Sequence, residues 1–126
     1  MKHIIALLLI VSFAFAEETT LSSYYEVARE SCHTISDIRV QMNRINAEIL
    51  RLLAERTAYV KRAGDIKSTG SKVADDRQRV ADQEKIIIEK SNELEVPLEI
   101  TLPTFRVIVE NSILYQQKHI DEITQN

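Results

Sequence analysis

The stretch SDIRVQMNRINAEILRLLAERTAYVKRAGDIKS, Ser36 to Ser68, decides the fold of this chain. Ile38, Met42, Ile45, Ile49, Leu52, Leu53, Val60, Ala63 and Ile66 recur in steps of three and four, with charged residues between them. That period predicts one long amphipathic helix over 36–68. Ser36 is its predicted N-cap, and Ser68-Thr69-Gly70-Ser71 supplies the turn chemistry that ends it.

Eleven residues separate Arg56 from Lys67 in that helix. At roughly 1.5 Å and 100° per residue, the two lie about 16 Å apart and within about 20° of one face. Their long side chains can lean toward each other across the width of a small anion. That face is also the apolar one, where cations are rarely placed without a partner. The pair therefore points to an anionic ligand or, equally, to internal salt bridges.

Working outward, the rest of the chain is also helical in pattern. Two glycines, two prolines and no tryptophan leave few breakers, and no stretch reads as a strand. Asp75-Asp76 provides a cap and first-turn negative charge for a second helix running to about Leu94, with Val80, Ile86, Ile87 and Leu94 on its inner face. Val96-Pro97 interrupts the pattern. A third helix is predicted from Leu98 or Glu99 to about Thr124, in which Pro103 is tolerable if it lies in the first turn. Its inner face is Phe105, Val109, Ser112, Ile113, Gln116 and Ile120. Residues 17–34 are polar and weakly periodic, and predict a frayed or short helical lead-in to a domain spanning 35–126.

Residues 1–16 read as a secretory signal peptide, with a basic start at Lys2, an apolar run from Ile4 to Phe15, and Ala14-Phe15-Ala16 as the cleavage signal. The expected location is periplasmic or secreted. Cleavage removes one of 16 cationic side chains and none of 19 acidic ones, so the mature chain is slightly more acidic than the formal −3 of the whole. An acidic balance argues against nucleic acid as a partner, and no membrane association is expected once the leader is gone. It does not argue against a small anion, because the charge of a pocket is local. Cys32 is the sole cysteine, so no internal disulfide is available. Cys32, His33 and His119 lack the spacing of a metal or nucleophile site, and both histidines are expected at the surface. No cofactor is predicted.

A helix of more than thirty residues is about 45–50 Å long, whereas a domain of this size has a radius of gyration near 13 Å. Such a helix outruns its own chain, so a helical homodimer is expected. Arg39 fits the same picture. It lies seventeen residues before Arg56, about 25 Å away, so one small ligand meets both only if they come from different chains.

These residues carry a family resemblance. Ile38-Arg39, Ile45, Ile49-Leu50, Leu52-Leu53-Ala54-Glu55-Arg56 and Lys67 resemble the first helix of the all-helical chorismate mutases. Phe105, Ile108, Glu110, Ser112 and Gln116 resemble their last. The resemblance implies an all-α, three-helix chain with a long first helix, intertwined as a homodimer with two shared active sites. It implies conversion of chorismate to prephenate without a cofactor. By the same resemblance, Arg39 of the partner chain and Arg56 clamp the substrate's carboxylates, and Lys67 and Gln116 bond its ether oxygen. Arg79 lines the pocket, Ser112 contacts a carboxylate, and backbone near Asp76 meets the ring hydroxyl.

One departure stands out. Val80 occupies the place where many members carry a Glu that holds the hydroxyl. Shifting the alignment by two puts Arg77 and Gln78 in the Arg-Glu places. Arg79 is preferred because it keeps the loop length after Lys67. Val80 and the run Tyr59-Val60-Lys61 also resemble the related isochorismate-pyruvate lyases, while Ser112 favours the mutase. A helical dimer that kept the fold but binds a ligand or partner without catalysis is the third reading.

Overall fold

The computed structural model describes residues 18–126; the expected leader lies outside the described residues. Four helices and no strand occur among the described residues: α1 (Leu21–Ser31), α2 (Ile35–Ser68), α3 (Arg77–Glu93) and α4 (Leu98–Thr124). The three predicted helices are α2, α3 and α4, and the all-α expectation holds. The lead-in forms a helix of its own. α1 is anchored to the turn between α3 and α4, where the Leu21 N–H donates to the Leu94 carbonyl at 3.0 Å. An ion pair between Lys90 and Glu18 adds to the same junction.

The start of α2 corrects one expectation. Its N-cap is Thr34, not Ser36. The Thr34 hydroxyl accepts from the Asp37 N–H at 3.1 Å, and the Asp37 carboxylate accepts from the Thr34 N–H at 2.9 Å. This reciprocal capping box satisfies two otherwise orphaned donors, and a serine two residues later cannot reproduce it. α3 is capped by Asp76, whose side chain accepts from the Arg79 N–H at 3.0 Å. Pro103 lies in the second turn of α4 rather than the first. There its ring removes one backbone donor and the helix carries on without it.

α4 is the central element, in contact with both α2 and α3. Along the α2–α4 seam, Arg56 meets Ser112, Val60 meets Gln116 and Asp65 meets His119, so the two helices run in the same direction. Along α3–α4 the pairs are Arg77–Glu110, Glu84–Arg106 and Ser91–Thr101, so these helices are antiparallel. Gly64 allows the close approach of α2 and α4. A Cβ there would stand 3.0 Å from His119 Cδ2 and 3.3 Å from Gln116 Cγ, and only hydrogen leaves that gap open. His119 is accordingly not the surface residue expected. Its side chain is 14 % exposed and shares a 2.6 Å hydrogen bond with Asp65.

Among the described residues the buried apolar side chains are Ala74, Val109 and Ile120, and of these Ile120 alone is completely enclosed. On α2, Ile38, Met42, Ile45, Ile49 and Leu52 remain 39–53 % exposed. Ile66 and Ile86, both assigned to inner faces by periodicity, are more than half exposed. Periodicity identified the apolar stripe of α2 but not where α4 stops covering it.

Ile120 should therefore be the most sensitive core position on α4. Ile120→Ala is expected to cost about 2–5 kcal/mol by cavity formation. Leu114→Ala, at a position 68 % exposed, should change little. Urea unfolding of both variants against the wild type checks the contrast, and equal losses would refute this placement of the core.

Candidate active site

The seam between α2 and α4 opens beside the N-terminus of α3 into a cavity of about 420 Å³. Arg56 and Lys67 from α2, Asp76 at the cap of α3, Arg79 on its first turn, and Ser112 and Gln116 from α4 all line it. Six of the seven sequence-selected residues are thus brought together in one chain. Arg39 is not. It is exposed on the first half of α2 and lies outside this cavity.

Hydrogen-bond arithmetic shows what the site has to offer. Arg56 donates from Nη1 to the Ser112 hydroxyl at 2.7 Å, and that hydroxyl donates to the Ile108 carbonyl at 2.6 Å. The serine thus fixes one prong of a five-donor fork and, among the described residues, the others are unused. Partial burial pushes the Arg56 guanidinium below its usual value, because removal of water disfavours the charge. Even so, it stays far above any physiological pH.

Lys67 Nζ donates to the Ala74 carbonyl and to Gln116 Oε1, both at 2.9 Å. Gln116 donates from Nε2 to the Val60 carbonyl at 2.6 Å. These partners fix which end of the amide is nitrogen, since Val60 offers only an acceptor and Lys67 only donors. One N–H remains on the Lys67 ammonium and one on the Gln116 amide. Among the described residues neither Arg56 nor Lys67 pairs with a carboxylate. The internal salt-bridge alternative is not what the structure contains.

The two candidate arginines of α3 part company. Arg77 faces away into an ion-pair cluster, 2.7 Å from Glu110 Oε1 and 2.7 Å from Asp75 Oδ1. Those two carboxylates push its already high value higher still, with Glu110 the larger cause. Arg79 lines the cavity. The register that keeps the loop length is therefore the one that supplies a cation to the site. Val80 lines the cavity too, as does Gln83, one turn beyond Arg79. Gln83 was not selected from the sequence. A polar residue three positions after a valine has no signal of its own until the direction of α3 is known.

The family model for chorismate mutase type II matches residues 38–117. This chain belongs to that family. The match spans α2, α3 and most of α4, and it leaves α1 outside. No curated protein and no solved structure gave a match. The matched region contains every residue placed in the cavity, and Arg39 as well. The family therefore accounts for the helical frame and for a chorismate mutase type of domain, while the roles of individual side chains rest on their geometry.

Proposed function

We propose that the protein is a chorismate mutase that rearranges chorismate to prephenate at this cavity, without a cofactor. The observation that carries the reading is a cavity lined by Arg56, Lys67 and Arg79 in which neither Arg56 nor Lys67 is paired with a carboxylate among the described residues. A doubly anionic substrate completes such a site.

The rearrangement is intramolecular. One ether C–O bond breaks as a C–C bond forms, so no nucleophile and no general base is needed. The protein's task is to hold a compact conformer and to stabilise charge growing on the ether oxygen. Arg56 suits a planar carboxylate through its unused prongs. The remaining N–H groups of Lys67 and Gln116 are two donors suited to the ether oxygen. They are held in advance by Ala74, Val60 and each other, so little reorganisation is needed in the transition state. Asp76 and Arg79 line the same cavity. Gln83 lines it too, and its amide is a hydrogen-bonding group that Val80 lacks.

Arg39 from a second copy would close the site over the other carboxylate. The uncovered apolar stripe on the first half of α2 supports a homodimer, because a face of that length is rarely left in water. A second reading is elimination of pyruvate from isochorismate. Val80 in the cavity favours it, because Val80 is one of the residues that resemble the lyases. Product identification after incubation with each substrate separates the two. The leader composition supports export, with cleavage after Ala16. Mass spectrometry of the exported protein should find a chain beginning at Glu17, and an intact Met1 on it would overturn the proposal.

Lys67→Ala should lower turnover of chorismate at least a hundredfold, as loss of a transition-state donor typically costs about 2.7–4 kcal/mol. Helix content by circular dichroism should be unchanged. If the variant unfolds and activity merely tracks the folded fraction, Lys67 has a structural role only.

Arg39→Ala and Arg56→Ala test the shared site. Each homodimer should be nearly inactive, since both its sites lack one arginine. A mixed dimer has one site with both defects and one intact. After statistical exchange, activity should recover to about a quarter of wild type if the sites act independently. No recovery, with exchange verified by mass-tagged chains, would rule out a site built across two copies.

A further inference from the structure

Gln117, the neighbour of Gln116 on α4, touches the chain in a way that neither the family match nor the cavity explains. Its amide reaches the loop between α2 and α3. Oε1 accepts from the Ala74 N–H at 2.9 Å, and Nε2 donates to the Lys72 carbonyl at 3.1 Å. Nε2 also donates to Asp121 Oδ1 at 2.9 Å, one turn further along α4. With two acceptors on one side and one donor on the other, the amide has a single satisfactory orientation. It mimics a strand neighbour, clipping both a C=O and an N–H of the loop.

The loop needs such a clip. Lys72 sits at φ 58°, in the left-handed region that a non-glycine residue enters only at some cost. Gly70, two residues earlier in the turn, is not the residue that takes the positive φ. Two residues on, Ala74 is buried and turns its carbonyl to Lys67 Nζ. The loop then enters Asp76 and α3. One short segment thus supplies an acceptor for the lysine and leads into the cap of the helix that bears Arg79.

We infer that Gln117 is a positioning residue for the proposed rearrangement. It holds Ala74 so that the carbonyl, together with Gln116 Oε1, aims the Lys67 ammonium. Adjacent glutamines divide the work: Gln116 bonds Lys67 directly, and Gln117 acts on it through the loop backbone. The inference rests on the proposed reaction for its catalytic consequence, and on hydrogen bonds alone for the clamp.

Gln117→Leu keeps the size of the side chain and removes both loop bonds. Helix content should be retained. Amide exchange at Ala74 in the full-length protein should accelerate about tenfold or more, as expected for loss of a hydrogen bond. With chorismate, kcat should fall about tenfold while KM stays within about threefold, because substrate carboxylates are held elsewhere. In a Lys67→Ala background the same change should cost less than about twofold, since residues acting as a unit are not additive. Gln117→Glu keeps the acceptor for Ala74 but sets a carboxylate against the Lys72 carbonyl and the Asp121 carboxylate, and its kcat should fall at least as far as that of Gln117→Leu. Unchanged kcat in Gln117→Leu would overturn the assignment, as would an equal loss in the Lys67→Ala background, which marks a purely structural role. Should Gln117→Leu fail to fold, Gln117→Glu carries the same readings. A wild type that does not convert chorismate would defeat the proposed reaction. Exchange at Ala74 would then decide the clamp by itself, and unaltered exchange would refute it.

Discussion

Everything in this chain is arranged around the ammonium of Lys67, held by two neutral acceptors rather than an anion. A carboxylate in place of either the Ala74 carbonyl or Gln116 Oε1 would cancel its charge locally. With neutral partners the direction of the group is fixed and its charge remains available. The α2–α4 contact delivers one acceptor and the α2–α3 loop delivers the other. Gly64 permits the first by letting α4 approach, and Gln117 secures the second.

Charge elsewhere is handled in the opposite way. Arg77 and Arg106 on the α3–α4 faces are matched with Glu110 and Glu84, and these arginine partners hold both carboxylates below their usual range. Such exposed pairs contribute little stability individually. Their use is in setting the antiparallel register of α3 on α4, which decides that Arg79 and Gln83 border the cavity. Pairing on one side of α3, and on the other a cation with no carboxylate partner among the described residues, separates the structural arginine from the one in the site.

Stability of the isolated chain rests on a narrow base. Only three apolar side chains are buried among the described residues, and the first half of α2 keeps its apolar stripe uncovered. The same half carries Arg39, remote from the cavity. A second copy laid against that stripe would remove apolar surface from water and bring a fourth cation to the site in one step. That economy is a physical reason to expect folding and active-site completion to be coupled.

The helices were legible because apolar residues spaced three and four apart can be buried only by a helix, and because prolines and glycines mark the breaks. Local sequence also announced the Arg56–Lys67 pair, since eleven residues of helix return to the same face whatever packs against it. Other features depend on contacts between distant segments. The Thr34 cap is not one of these, since its capping box with Asp37 is local, three residues along the chain. His119 went inside because Gly64 left room for it. Ile66 and Ile86 stayed in water because α4 covers only part of each helix. The division between Arg77 and Arg79, the place of Gln83 in the cavity and the grip of Gln117 on the loop all follow from the direction in which α3 and α4 pack. Periodicity within one helix carries no information about that direction. The sequence by itself determined which residues share a face; the tertiary structure decided which faces meet, because burial and hydrogen-bond satisfaction are settled only between elements.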